Sequence, residues 1–144
     1  MDSTFSANNL LNSIGHEIIG SSFDVRKYAG RYFREKYYKY ALAYELKEKG
    51  YKVEIEKTLP ALYKGVEIED SYHMDLVIDD KIVIEIKALP QVGASEYRQL
   101  MSYLFLSKYK LGYLINFGVE NFSVAKREDK FNPYLGIYRF VNGI

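Results

Sequence analysis

Residues 72–90, YHMDLVIDDKIVIEIKALP, carry carboxylates and ammonium groups within runs that otherwise read as core. Charged side chains are seldom fully buried unless they are paired or bound to metal. Asp75 and Glu85 would repel each other at close range. A hard divalent cation such as Mg²⁺ relieves that repulsion, because it takes carboxylate oxygens together with waters and substrate phosphate. Lys87 beside such an ion is placed to orient or deprotonate a water and to offset charge on a phosphoryl group. The competing reading is a solvated sheet face held by a salt bridge. Glu-x-Lys is an inexpensive pattern, and the chain has another at Glu45-Leu46-Lys47 in a helical stretch. On these residues alone both readings stay open.

Which of them holds depends on strand register. Alternate residues of a strand share a face, so Val83, Glu85 and Lys87 lie together, opposite Ile82, Ile84 and Ile86. In the preceding run His73, Asp75 and Val77 share a face, opposite Leu76 and Ile78. A two-residue loop at Asp79 and Asp80 pairs Asp75 with Ile84 and sends the two acids to opposite faces. A three-residue loop, Asp79 to Lys81, pairs Asp75 with Glu85, Val77 with Val83 and Leu76 with Ile84. Only an odd loop length or a bulge keeps the acids together.

The flanking elements follow from periodicity. Residues 7–28 are predicted helical, with Leu10, Leu11, Ile14, Ile18 and Ile19 at helical spacing. Within it, Gly20, Ser21 and Ser22 either interrupt the helix or let another pack close. A second helix is predicted over RYFREKYYKYALAYELKEKG, stopped by Gly50 with lysines in its last turn. YKVEIEK alternates as a half-buried strand, and LPALYKGVEIED reads as two short strands around a turn, punctuated by Pro60 and Gly65. A loop over residues 90–95 leads to a helix over SEYRQLMSYLFLSKY, with Ser95 as N-cap and Glu96 in the first turn. GYLINFG is a further strand, and YLGIYRFV adds a last one. Helices, then consecutive strands, then helix and strand imply an α/β or α+β fold, a mixed β-sheet flanked by helices.

At 144 residues the chain is sized for one domain, residues 1–144, and 48% hydrophobic content suits a packed core. A net charge of +1 excludes a strong global field. The absence of cysteine excludes disulfides and thiolate metal sites. No run approaches a membrane span and MDSTFSANNL is no signal peptide, so a soluble cytoplasmic protein is expected. Fifteen tyrosines and no tryptophan form a bias toward amphipathic aromatics. Phe33, Tyr37, Tyr40 and Tyr44 make a stripe nearly opposite Glu35. A helix apolar on both sides wants a second partner, a homodimer mate or the C-terminal segment. Arg26, Lys27, Arg31, Arg34, Lys36 and Lys39 cluster around Glu35 and suit a phosphate backbone.

Asp75 followed by Glu85-Ile86-Lys87 resembles the signature of the PD-(D/E)XK nuclease superfamily. The surrounding chain resembles its RecB-like members and, within them, the bacterial GxxExxY proteins. The matching pieces are EKYYKYALAYELKEKGYKVE, LYKGVEI, YHMDLVIDDKIVIEIKAL, YRQLMSYL and KLGYLINFG, in order over roughly residues 30–118. The resemblance implies a restriction-endonuclease-like core and a Mg²⁺- or Mn²⁺-dependent nuclease acting on DNA. It further implies a metal site from Asp75, Glu85 and the Ile86 carbonyl, with Lys87 as catalytic lysine. Glu35 and Tyr38 match the Glu and Tyr of GxxExxY, which puts Glu35 near the metal and Tyr38, Arg31, Arg34 and Lys36 toward substrate. Gln99 and Tyr103 match the Q-x-x-x-Y of RecB-like relatives. Helical geometry agrees, since Glu35, Tyr38, Leu42 and Leu46 form one narrow stripe and Gln99 and Tyr103 share a face. Two positions depart from the pattern. Tyr32 replaces the motif glycine, and His73 replaces the usual basic residue before the aspartate. These departures admit an alternative, a nuclease-fold module with weak or no turnover that serves nucleic-acid binding or assembly.

Overall fold

The turn between the two acid-bearing strands takes the three-residue form. Asp79 and Asp80 both adopt the left-handed backbone, at φ 51° and 55°, which acidic turn residues tolerate better than most. Leu76 pairs with Ile84, Val77 with Val83 and Ile78 with Ile82, as the odd-loop register requires. In this computed structural model the described residues are 3–129 and 132–143, with side chains from residue 7 onward. The first two residues of MDSTFSANNL lie outside them.

The elements run α1 (Ser3–Ala29), α2 (Glu35–Glu48), β1 (Val53–Tyr63), β2 (Val66–Ile78), β3 (Ile82–Lys87), α3 (Ala94–Ser107), β4 (Leu111–Asn116), a 3₁₀ turn (Arg127–Asp129) and β5 (Ile137–Val141). The strands form one sheet in the order β1-β2-β3-β4-β5. Only β3 and β4 pair in parallel, with α3 as the crossover between them, and the other neighbours are antiparallel. The expected mixed sheet flanked by helices is therefore the fold.

Both sheet faces are covered, which explains the near-continuous apolar runs of β3 and β4. On one face Leu76, Ile78, Ile82, Ile84 and Ile86 pack with Ile14 and Ile18 of α1 and Tyr38, Leu42 and Leu46 of α2. On the other, Val77, Val83 and Leu114 pack with Leu100, Tyr103 and Leu104 of α3. The acids are thus not on the open back of a one-sided hairpin. They sit inside a three-layer sandwich.

Three boundaries differ from expectation. The strands predicted around LPALYKGVEIED are continuous with their neighbours, giving two long strands, because Pro60 lies on edge strand β1, where a missing N–H is tolerated. α2 starts at Glu35, after a loop over residues 30–34, so Arg31 and Arg34 precede the helix. Ser95 is not the N-cap of α3. Gly93 takes that place, with its N–H bound by Glu96 at 3.1 Å. Gly20, Ser21 and Ser22 do not interrupt α1, and both serines are buried.

Candidate active site

The strand alternation that predicts His73, Asp75 and Val77 on one face breaks at Asp75. Met74 packs on the α3 side while Leu76 packs on the α2 side, although a regular strand would put them together. The β2–β3 ladder ends at Leu76–Ile84. Asp75 therefore sits where the two strands part, and its side chain takes over part of the ladder. Its Oδ2 accepts the Ile86 N–H at 2.8 Å. Its Oδ1 lies 3.6 Å from Lys39 Nζ, which comes down from α2. Across the same gap lies Glu85.

Glu85 is only 2% exposed, and its Oε2 is buried without a hydrogen-bond partner. Burial above all, then the adjacent Asp75 carboxylate, pushes its pKa up to about 10, against a smaller opposing pull from Lys87. Glu35, at the first position of α2, has its pKa raised by burial. Lys87 opposes that shift, and Asp75 adds to it. Its charge therefore couples to both strands. Among the described residues, however, no three Asp, Glu or His side chains converge closely enough to hold an ion. Asp75 and Glu85 meet side chain to side chain, while Glu35 acts on Asp75 through its charge alone. Lys87 ends β3, half-buried, and its carbonyl accepts the Phe117 N–H at 2.9 Å.

Lys39 is the residue that sequence reasoning misplaced. It reads as one of several surface cations, yet it is buried and bridges Asp75 to Glu56, at 2.6 Å from Glu56 Oε1. Burial alone would lower its pKa, but Glu56 and Asp75 outweigh that and raise it. Its position four residues after Glu35, on the inward stripe, was the available signal. Glu56 stands opposite Asp75 on β1, at an unusual φ of 57° for a non-glycine residue. Asn116 was also missed. Fully buried beside Lys87 in the β3–β4 register, its Oδ1 accepts the N–H groups of Leu89 and Gly118 and so ties down the chain just past Lys87.

The helical residues divide. Gln99 Nε2 donates to Tyr103 Oη at 2.9 Å, and Tyr103 donates to the His73 carbonyl at 3.0 Å, which brings α3 against the site. Burial first, then Glu85, raises the Tyr103 pKa. Tyr38 is fully buried, so it cannot meet substrate directly. Its hydroxyl donates to Gly30 O at 2.7 Å and accepts the Phe33 N–H at 3.2 Å, while its ring stacks on Phe117. It shapes the loop that enters α2 instead. Arg34 and Lys36 are exposed, and Arg31 donates to Tyr32 Oη. Arg26 is turned inward to the Glu120 carbonyl at 3.3 Å and lies over Phe122. Phe33, Tyr37, Tyr40 and Tyr44 are exposed, so neither the C-terminal segment nor any other described part of the chain covers that stripe.

The donors present suit a hard divalent cation: two carboxylates on adjacent strands, one with an orphaned buried oxygen, at the C-terminal end of β3. No helix among the described residues is long and apolar enough to cross a membrane. No curated protein and no solved structure matches the chain. The model of the PD-(D/E)XK nuclease superfamily matches residues 12–128, a span that takes in α2, both acid-bearing strands, α3 and β4. With well over half its length matched, and with that sheet and acid pair, the chain belongs to the PD-(D/E)XK nuclease superfamily.

Proposed function

We propose that the chain is a Mg²⁺- or Mn²⁺-dependent nuclease of the GxxExxY branch that hydrolyses phosphodiester bonds in DNA, working in the cytoplasm. The observation that carries this reading is the unpaired, buried Oε2 of Glu85 beside Asp75. Leaving a buried polar atom unsatisfied costs about 1–3 kcal/mol, a cost that a bound ligand removes. Asp75, Glu85 and the Ile86 carbonyl would hold the ion. Bound there, it supplies Lewis-acid polarisation of the phosphoryl oxygens and lowers the pKa of a water. Lys87 orients that water and offsets charge on the phosphate. Glu35, at the N-terminal end of α2, holds a further water by hydrogen bonding. Gln99 and Tyr103 position Glu85 from the α3 side.

The test is cleavage of linear DNA with Mn²⁺ or Mg²⁺. Wild type cuts, and Asp75→Asn, Glu85→Gln and Lys87→Ala each lose at least about a hundredfold in rate with the fold retained. Well-folded protein that cleaves neither DNA nor RNA would remove the reading. A second reading, a nuclease-fold module without efficient turnover, is favoured by the absence of a convergent three-ligand cluster among the described residues. Tyr32, in the loop before α2, and His73, on β2, depart from the family pattern, and both are exposed. Such a module would assemble as a homodimer through Phe33, Tyr37, Tyr40 and Tyr44. It would show no divalent-metal dependence in any reaction.

A further inference from the structure

Residues 26–39 hold six basic side chains and one acid, Glu35, in a chain whose net charge is only +1. Two of the six are used internally, Arg26 on the Glu120 carbonyl and Lys39 between Glu56 and Asp75. Lys27, Arg31, Arg34 and Lys36 enter no ion pair among the described residues. Rings left in water are interleaved with them. Tyr28 and Tyr32 are 90% and 88% exposed. Phe33 and Tyr37 stack face to face, 4.0 Å apart and 11° from parallel, while both remain open to solvent. Phe33, Arg34, Lys36, Tyr37 and Tyr40 line one shallow groove. Arg31 lies over the Tyr32 ring at 5.1 Å, and Lys36 near that of Tyr40 at 6.0 Å.

The occupant of this face has to satisfy flat apolar rings and unpaired cations at once. A double helix answers only the cations, because its bases are stacked inside and it presents phosphates. A second copy of the chain answers only the rings, and two such faces would set one basic cluster against another. Unpaired nucleotides answer both, since every base has a face to stack and every linkage a negative charge.

We propose that this face binds single-stranded nucleic acid. Bases stack on Tyr32 and on the Phe33–Tyr37 pair, and phosphates run along Arg31, Arg34 and Lys36. Phe33 and Arg34 immediately precede Glu35, the first residue of α2, whose charge couples to Asp75 and Lys87. A strand held on the platform therefore passes the turn that borders the carboxylate site, and an unpaired strand is the favoured substrate. The site it feeds is the one proposed above, and the inference rests on that reading for its purpose. Binding itself is measured separately.

The experiment is fluorescence anisotropy with a labelled oligothymidine of about 15 nucleotides, within the site sizes of single-strand binders. It is compared with a duplex and with an abasic strand of equal length, all in chelator. Wild type should bind the single strand at least about tenfold more tightly than the duplex. Phe33→Ala with Tyr37→Ala should lose about tenfold or more on the single strand, the worth of one stacked base, and leave duplex binding unchanged. Tyr32→Ala, at a side chain with almost no packing role, should show the same selectivity. The slope of affinity against salt should stay unchanged, because the phosphate contacts remain. Equal binding of duplex and single strand, or single-strand binding untouched by these variants, would overturn the proposal. So would sedimentation in which the double variant turns a dimer into a monomer while oligothymidine affinity stays the same. Chelator stops metal-dependent turnover, so an inactive nuclease leaves a positive result standing. An active nuclease without strand preference removes the platform alone.

Discussion

Glu85 and Lys39 set the electrostatics around Asp75, and each makes its own prediction. The pKa of Glu85 is raised in the folded chain, mainly by burial and then by Asp75, so the native state holds a proton that the unfolded state has released. The associated stability is fully present below the ordinary carboxyl pKa and is lost as pH rises toward the folded value near 10. Glu85→Gln cannot ionise. In chelator at pH 8 it should melt a few degrees above wild type, about 1 kcal/mol for a domain of this size, with the gap closing at pH 4. Millimolar Mg²⁺ should raise the melting temperature of wild type alone, since only the native site with both carboxylates gains binding free energy. Equal melting at pH 8 with no response to metal would make Glu85 a tolerated core residue. Lys39→Met removes the ammonium between Asp75 and Glu56 and leaves Asp75 facing Glu85 without it. It should lower the melting temperature by a few degrees at pH 8. A melt unchanged by the substitution would show that Lys39 carries no such load. The structure supplied the three-residue loop length and a ladder that stops at Leu76–Ile84, just short of the acids, whereas the rule that only an odd loop or a bulge keeps Asp75 and Glu85 together was legible in the sequence. The role of Lys39 was not, because a lysine among five other basic residues looks like surface charge until the packing of α2 turns it inward.

Elements bring these residues together by close approaches that are hard to read from periodicity. The segment after β3 crosses the end of β4 so tightly that a Cβ on Gly118 would meet the Ala88 and Leu89 backbone at 2.5–2.7 Å. Backbone cannot move aside as a flexible side-chain end can. Gly118→Ala should therefore cost about 1–3 kcal/mol in denaturant melts and displace the chain just past Lys87, lowering activity further than stability alone explains. A neutral substitution would show that the crossing tolerates a shift. Tyr38 plays the matching part on α2, holding Gly30 and Phe33 through its hydroxyl. Tyr38→Phe keeps the stacking on Phe117 and loses two hydrogen bonds, which should cost about 1–2 kcal/mol by the same melts. The stripe Glu35, Tyr38, Leu42 and Leu46 was legible from helical spacing. The destination of the tyrosine hydroxyl was not, since the loop it binds has no periodic signal. Pro60 misled for a different reason: it marks a break in most strands but is tolerated on the edge position that β1 holds.

On the scale of the whole molecule, a mixed sheet covered on both sides places charge at one opening, where β2 and β3 part and the N-terminal end of α2 and the side of α3 converge. The order of helices and strands was enough to anticipate the layers, because each apolar face must be buried against another element. It was not enough to show that the acid-bearing face is covered too, which only the packing of α3 reveals. The central claim is that Asp75 and Glu85 together hold a divalent cation. Calorimetric titration of Mn²⁺ into wild type, Asp75→Asn and Glu85→Gln tests it most directly, each variant first shown to be folded. Wild type should bind with a saturable isotherm that both variants lose. An identical isotherm in all three proteins, or no binding to folded wild type, would contradict it.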